Sequence, residues 1–381
     1  MKKSKKQLIA LLLVLGGCVL LFGGVLIYNN WQEKKTAEEE EAATVYLGDI
    51  ESAVEITYNN GTETLNFSLG DDGKWVYTDD SAFPLDETNI TKIASQVVGL
   101  TAVREITDYD SLAEFGLDKP AQTLKVTDAN GSTLELLLGN LSGDGKNYYA
   151  MEPNGTSVYT IDSLLQGYLS KTLCDMAVLD KFPTVDETNI QSITLTSGDT
   201  TALLDKETHT SQKDTGEKDA DGNAITEEVA DYYWYATING GTRTFINDIT
   251  TVLTGEDGLQ YTLENRLDSL LTGLGDMTLF SCVDYKASAD TLASYGFNEP
   301  MLTLTVAYTD DSGNAQSYTL IIGNKQTDDS DDDATTDDSA STENIYYYAK
   351  LDGSDLTCLI NANKLTTITN LVTAAEAISG S

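Results

Sequence analysis

Side chains able to do acid-base, metal or nucleophilic chemistry are unevenly supplied in this chain. Its 381 residues hold 61 Asp+Glu but a single histidine, His209. His-based triads, His-rich metal sites and the commonest general base are therefore mostly unavailable. His209 has no Cys, Ser or second His in evident partnership and reads as a surface histidine. A glycosidase needs two carboxylates held a few ångströms apart in a cleft. With 61 acids, neighbouring pairs arise by chance, so sequence proximity selects none. Asp118 sits in a repeated motif whose second copy has Asn298, which suits turn capping better than catalysis.

Asp219-Ala-Asp-Gly-Asn223 places oxygen ligands at alternating positions, as calcium loops do. Ala224 and Ala230 stand where an EF-hand needs glycine and glutamate, so a solvated acidic loop is the expectation. No P-loop or GxGxxG follows a strand, and no CxxC or Cys/His cluster suggests zinc. No catalytic, cofactor-binding or metal residues are assigned and no cofactor is expected. The 20 tyrosines cluster at Tyr148-Tyr149, Tyr232-Tyr233-Trp234-Tyr235 and Tyr346-Tyr347-Tyr348. Alternate strand residues face opposite sides, so such clusters offer an aromatic strip to a glycan or protein, or simply cross-strand packing.

The elements that position these residues begin with a span. Residues 7–28 carry no charge and at about 1.5 Å per residue are long enough to cross a hydrocarbon core of about 30 Å. Lys2, Lys3, Lys5 and Lys6 precede it and Glu38–Glu41 follow, which puts the N-terminus in the cytoplasm and the rest outside the cell membrane. A cleaved signal peptide and a lipoprotein box at Leu15-Gly-Gly-Cys18 are the alternatives. The run exceeds a signal h-region, and the residues after Cys18 stay apolar, so an uncleaved anchor is favoured. For Cys174, Cys282 and Cys358, one disulfide with a thiol left over and three buried thiols both fit.

The chain divides into a cytoplasmic tail (1–6), transmembrane helix (7–28), charged stalk (29–44), a first repeat (45–183), a second repeat (184–372) and a tail (373–381). Alternating apolar residues bounded by Asn-Gly and Asp-Gly turns mark strands at 63–69, 75–77, 122–127, 133–138, 148–151 and 158–161. Ile90, Ile93, Ala94, Val97 and Val98 mark a helix face, with Asp86 as its cap. The fold class is α+β: two homologous domains with antiparallel sheets and one main amphipathic helix each, after the transmembrane helix.

The repeat is explicit. Asp110–Pro120 (DSLAEFGLDKP) recurs 180 residues later as Asp290–Pro300 (DTLASYGFNEP). Leu138-Gly139-Asn140 answers to Ile322-Gly323-Asn324, Tyr148-Tyr149-Ala150 to Tyr347-Tyr348-Ala349, and Trp75 to Trp234. Asp86-Glu-Thr-Asn-Ile90 recurs as Asp186–Ile190 at a conflicting offset, and reads as a reused turn or capping phrase. The second repeat also holds two acidic insertions, 206–231 and 326–342, expected as mobile hairpin loops.

The anchor, Trp75, Phe83-Pro84, the amphipathic helix, Phe115–Pro120 and the Gly139–Tyr149 hairpin together resemble the bacterial family called domain of unknown function 4340, over residues 45–370. The resemblance implies a single-pass anchored protein with an extracytoplasmic α+β region, often encoded near gliding-type ABC transporter components. It implies no established activity, and so supplies no catalytic residues. A formal charge of −38 makes nucleic acid a poor partner. The expectation is a non-enzymatic interaction component of an ABC transporter or other envelope complex, held in the lipid bilayer by residues 7–28. A cell-envelope glycan binder is the alternative. A carboxylate-dependent hydrolase, with a cleft between the domains and a carboxylate in an apolar setting, is the third reading.

Overall fold

Period-two alternation sets one face of each strand against a core. Ile56 and Tyr58 on one strand, Leu65 and Phe67 on the next, and Leu134, Leu136 and Leu138 on a third are all buried. The computed structural model describes residues 45–254, 259–327 and 345–379. The span 7–28, the stalk, the cytoplasmic tail and residues 328–342 of the second insertion lie outside the described residues. Among the described residues no helix is long and apolar enough to cross a membrane.

Two compact units divide between Met176 and Ala177, where the sequence reading set 183/184. Unit 1 holds β1 (Val45–Tyr46), β2 (Ala53–Asn59), β3 (Thr64–Leu69), β4 (Trp75–Tyr77), α1 (Thr88–Val97), β5 (Thr101–Ala102), β6 (Arg104–Ile106), β7 (Gln122–Asp128), β8 (Thr133–Leu141), β9 (Asn147–Met151), β10 (Val158–Asp162) and α2 (Ser163–Leu169). Unit 2 holds β11 (Ile190–Ser197), β12 (Thr200–Lys218), β13 (Ala224–Ile238), β14 (Thr244–Phe245), β15 (Leu253–Thr254), β16 (Gln260–Tyr261), α3 (Leu263–Leu274), β17 (Ser281–Tyr285), α4 (Ala289–Ser294), β18 (Leu302–Thr309), β19 (Ala315–Lys325), β20 (Tyr346–Leu351), β21 (Leu356–Asn361) and α5 (Ala362–Ser379).

The main sheet of unit 1 runs β4-β3-β2-β7-β8-β9-β10-β6, and that of unit 2 runs β14-β13-β12-β11-β18-β19-β20-β21-β17. Apart from the added edge strand β14, the second order repeats the first strand for strand. Register repeats as well: Leu138 pairs with Ala150, and Ile322 with Ala349. Each of these pairs is followed by a bulge, at Gly139-Asn140 and Gly323-Asn324.

Those bulges explain the repeated phrases. A Cβ at Gly139 would strike the carbonyl oxygen of Phe115, and one at Gly323 that of Tyr295. Gly116 (φ 70°) and Gly296 (φ 87°) turn the chain in the left-handed region, directly over Asn140 and Asn324. In unit 2 the Asn324 amide donates to the Tyr295 carbonyl (2.7 Å), and its Nδ2 donates to the Ser294 carbonyl (3.0 Å). The Phe/Tyr-Gly phrase and the Gly-Asn phrase, distant in sequence, thus form one lock between a turn and a strand bulge.

The helices cover one sheet face. Ile90, Ile93 and Val97 of α1 are buried, each stabilising by about 1.5–3 kcal/mol. Val98 lies beyond the helix and is exposed. Asp86 Oδ1 accepts the Thr88 amide proton (3.0 Å), although Glu87 is the residue flanking the helix. Leu267, Leu270 and Leu274 of α3 are buried, and α3 packs on α5, which in turn lies against β11, β12 and β21.

Three expectations need correction. Residues 206–231 are not a loop but two arms of a β-ribbon, paired from Ala202↔Ile238 to Asp214↔Thr226 and closed at Lys218↔Ala224. Its polar residues hide the strand period, while cross-strand bonds such as Ser211 to Asp231 and Thr226 to Gln212 hold it. Residues 373–379 belong to α5, with Ala374 and Ala375 buried. With α3 and α5, unit 2 therefore has more than one main helix.

Candidate ligand-binding cleft

Three sequence-distant elements of unit 2 enclose a cleft of about 430 Å³. β13 supplies Tyr232, Tyr233 and Trp234, the turn after β14 supplies Asn247, and α3 supplies Glu264, Leu267 and Asp268. Glu187, from the capping phrase before β11, closes one side. Strand pairing sets this arrangement: Tyr235↔Phe245 brings the 245–247 turn beside the tyrosines. The α3 cap, in which Thr262 and Asn265 bond reciprocally, fixes the start of the helix and so places Glu264 in its first turn.

Hydrogen bonds hold the cleft walls. Trp234 Nε1 donates to Glu187 Oε1 (3.1 Å), and Asn247 Nδ2 donates to Glu264 Oε1 (2.7 Å). The Lys206 ammonium donates to the Glu187 (2.5 Å) and Thr188 (3.1 Å) carbonyls and lies 4.4 Å from the centre of the Tyr232 ring. Burial pushes its pKa down, and Glu187 and Asp186 pull against that shift. Asp186 is held below the usual carboxylate range, first by the Thr188 hydroxyl. Tyr233 is 39% exposed and packs between His209 and Phe245, at 5.0 and 5.9 Å.

The Glu87 and Glu187 phrases share a function. Glu87 Oε2 accepts the backbone N–H of Trp75 (2.7 Å), while Glu187 accepts the indole N–H of Trp234. Each copy of the Asp-Glu-Thr-Asn turn thus ties itself to the tryptophan of an equivalent strand. In both, the aspartate accepts the amide proton of the threonine two residues on. The reading as a reused turn or capping phrase agrees with this geometry in its turn form, since the second copy leads into β11 rather than a helix.

Chemically the cleft offers carboxylate acceptors from Glu187, Asp231, Glu264 and Asp268 beside aromatic surface. That combination suits a ligand rich in hydroxyl or cationic donors, with a flat apolar face to lie on the rings.

The other residues considered from sequence fall elsewhere. The Asp219–Asn223 stretch is a hairpin tip: Asp219 Oδ1 accepts the amides of Asp221 and Asn223 (both 2.9 Å), and Gly222 takes φ 86°. Asp128–Ser132 and Asp310–Asn314 form the same turn, with the same two carboxylate bonds. The calcium-like spacing is therefore the spacing of an Asp-x-x-Gly-x hairpin turn used three times among the described residues. Asp118 and Asn298 are exposed. Tyr149 packs on Phe115 (4.7 Å), and Tyr348 on Tyr295 (4.3 Å). Tyr346 lies against Phe280, which is 59% exposed. Of the three tyrosine clusters, Tyr232–Trp234 is the one in the cleft. Asn247, Glu264 and Asp268 carried no sequence signal, because only tertiary pairing brings them to β13.

The comparison that places the chain starts at one of these tryptophans. Residues 75–236 match the family model described as Domain of unknown function (DUF4340). Over residues 75–236 the chain is similar to the DUF4340 family. The DUF4340 match runs from Trp75 on β4 to just past Trp234 on β13, so it spans one structural period and ends inside the cleft-forming strand. No curated protein and no solved structure matches the chain.

Proposed function

We propose that this DUF4340-like protein is a single-pass, membrane-anchored extracytoplasmic component of an ABC transporter or other envelope complex, and that it acts by binding rather than by catalysis. The apolar run 7–28, with lysines before it and acids after it, supports the placement. The observation that carries the binding role is the β12–β13 ribbon. Every residue from Glu207 to Glu228 is exposed, so this part of the ribbon buries no apolar face of its own. A two-stranded ribbon has little independent stability in water, and an arm of this length is well suited to lie along a partner surface.

The test is affinity purification of the full-length protein from membranes in mild detergent, beside a variant in which Thr210–Val229 is replaced by a two-residue Asn-Gly turn. Envelope or transporter subunits should accompany the full-length protein and be lost from the variant. Recovery of the full-length protein alone would overturn the proposal. Protease treatment of intact cells should cleave the folded region and spare the first residues.

The cleft favours a second reading, cell-envelope glycan binding. Wall polysaccharide should quench tryptophan fluorescence in the native chain and fail to do so in Trp234→Phe. A flat titration of the native chain removes that reading.

A further inference from the structure

Among the described residues β17 is the last strand of the unit 2 sheet and pairs with β21 alone. On these strands Cys282 stands directly opposite Cys358. Directly opposed residues of an antiparallel pair project to the same face, with Cα atoms about 4.5–5.5 Å apart. A disulfide spans Cα separations of about 4.4–6.8 Å. Cys358 is fully buried and Cys282 partly exposed, with the Cys282 thiol donating to the Asp284 carbonyl (3.4 Å). Immediately after Cys282 the register slips by a bulge before Asp284↔Thr357, so the ladder is interrupted beside the opposed pair. Cys174 belongs to unit 1.

We infer that Cys282 and Cys358 form a cross-strand disulfide site that ties the edge strand β17 to the sheet. The sequence alone left the choice among Cys174, Cys282 and Cys358 open, and strand register makes it. The geometry does not depend on where the chain resides. An oxidising compartment would supply the other reactant, a low-molecular-weight or protein disulfide.

The chemistry is thiol-disulfide exchange. The Cys282 thiolate, the more accessible of the two, attacks one sulfur of the oxidant and releases one thiolate, leaving a mixed disulfide on Cys282. The Cys358 thiolate then attacks the Cys282 sulfur from the opposite strand and releases the second. One S–S bond forms in the protein and one breaks in the oxidant. Two electrons pass from the cysteine pair to the oxidant, whose thiolates take up the two protons.

The full chain is equilibrated with oxidised glutathione, alkylated and digested with trypsin. Cleavage after Lys and Arg puts the three cysteines on separate peptides: 172–181 for Cys174, 267–286 for Cys282 and 351–364 for Cys358. The expected product is peptide 267–286 joined to 351–364, about 2 Da lighter than the sum of the two, as loss of two hydrogens requires. The oxidised chain should also melt higher than the reduced chain, and Cys282→Ser should abolish both the link and the difference. Recovery of both peptides singly alkylated, or of either joined to 172–181, overturns the assignment. Equal melting of the oxidised and reduced native chains overturns the bracing role.

Discussion

Replacing Gly323 by alanine should destabilise unit 2 strongly although the change adds one methyl group. The new Cβ would fall on the carbonyl oxygen of Tyr295, and backbone cannot swing aside as a long side chain can. Relief requires the 294–297 turn to lift from the β19 bulge. That motion stretches the Asn324 amide bond to Tyr295 (2.7 Å) and the Asn324 Nδ2 bond to Ser294 (3.0 Å). Two such bonds contribute about 0.5–1.5 kcal/mol each, and overpacking costs about 1–3 kcal/mol. A loss of about 3 kcal/mol is therefore expected, which for a unit of this size lowers Tm by roughly 6–12 °C. Gly139→Ala should behave alike in unit 1, where the Phe115 carbonyl takes the collision. Gly167→Ala is the control: it lies inside α2 with nothing near its Cβ, and should stabilise by up to about 1 kcal/mol. Calorimetric melts of the three variants decide the matter. If Gly323→Ala melts like the native chain, the lock between turn and bulge is not what the repeated phrases are for.

The Tyr58 hydroxyl, fully buried, donates to the Lys171 carbonyl at 2.9 Å, so Tyr58→Phe should cost about 1–2 kcal/mol in denaturant unfolding. Burial, reinforced by Glu63 and Asp175, pushes that phenol above its usual range, and it should stay protonated in alkaline titration while exposed tyrosines ionise. Asp86 and Asp186 are held below the ordinary carboxylate range, each first by the hydroxyl of the threonine two residues on. A carboxyl depressed in the native state stabilises above its unfolded pKa, and that contribution is lost as pH falls through the native value. Melting midpoints should therefore fall below about pH 4, less steeply in Asp186→Asn.

The strands that alternate cleanly were legible in the sequence: Thr64–Leu69, Trp75–Tyr77 and Gln122–Asp128 stand within a residue of their expected bounds. Apolar periodicity reports burial, and these strands have one buried face. The β12–β13 ribbon escaped for the converse reason, since Glu207–Glu228 buries neither face and has no apolar period to display. α5 escaped in part because Thr366, Thr367, Thr369 and Thr373 break up its apolar stripe, although Leu365, Ile368, Leu371 and Ala375 are buried. The cleft was half visible. Tyr232–Trp234 stood out as a cluster, but Glu187 looked like a capping residue and Glu264 like any surface acid. Their meeting depends on the β13–β14 register and on the placement of α3, neither of which a local pattern encodes. The calcium-like spacing, read from sequence as a solvated acidic loop, arises because an Asp-x-x-Gly-x turn and a metal loop both need an aspartate followed by a tight glycine-bearing bend.

The binding role of the exposed ribbon is tested most directly by a photo-crosslinking amino acid placed in living cells at Thr210 or Ile225, with Asn130 on the unit 1 hairpin tip as control. The ribbon positions should yield an adduct with a membrane protein of the cell envelope, and Asn130 should not. No adduct from either ribbon position, or equal adducts from all three, would contradict the account.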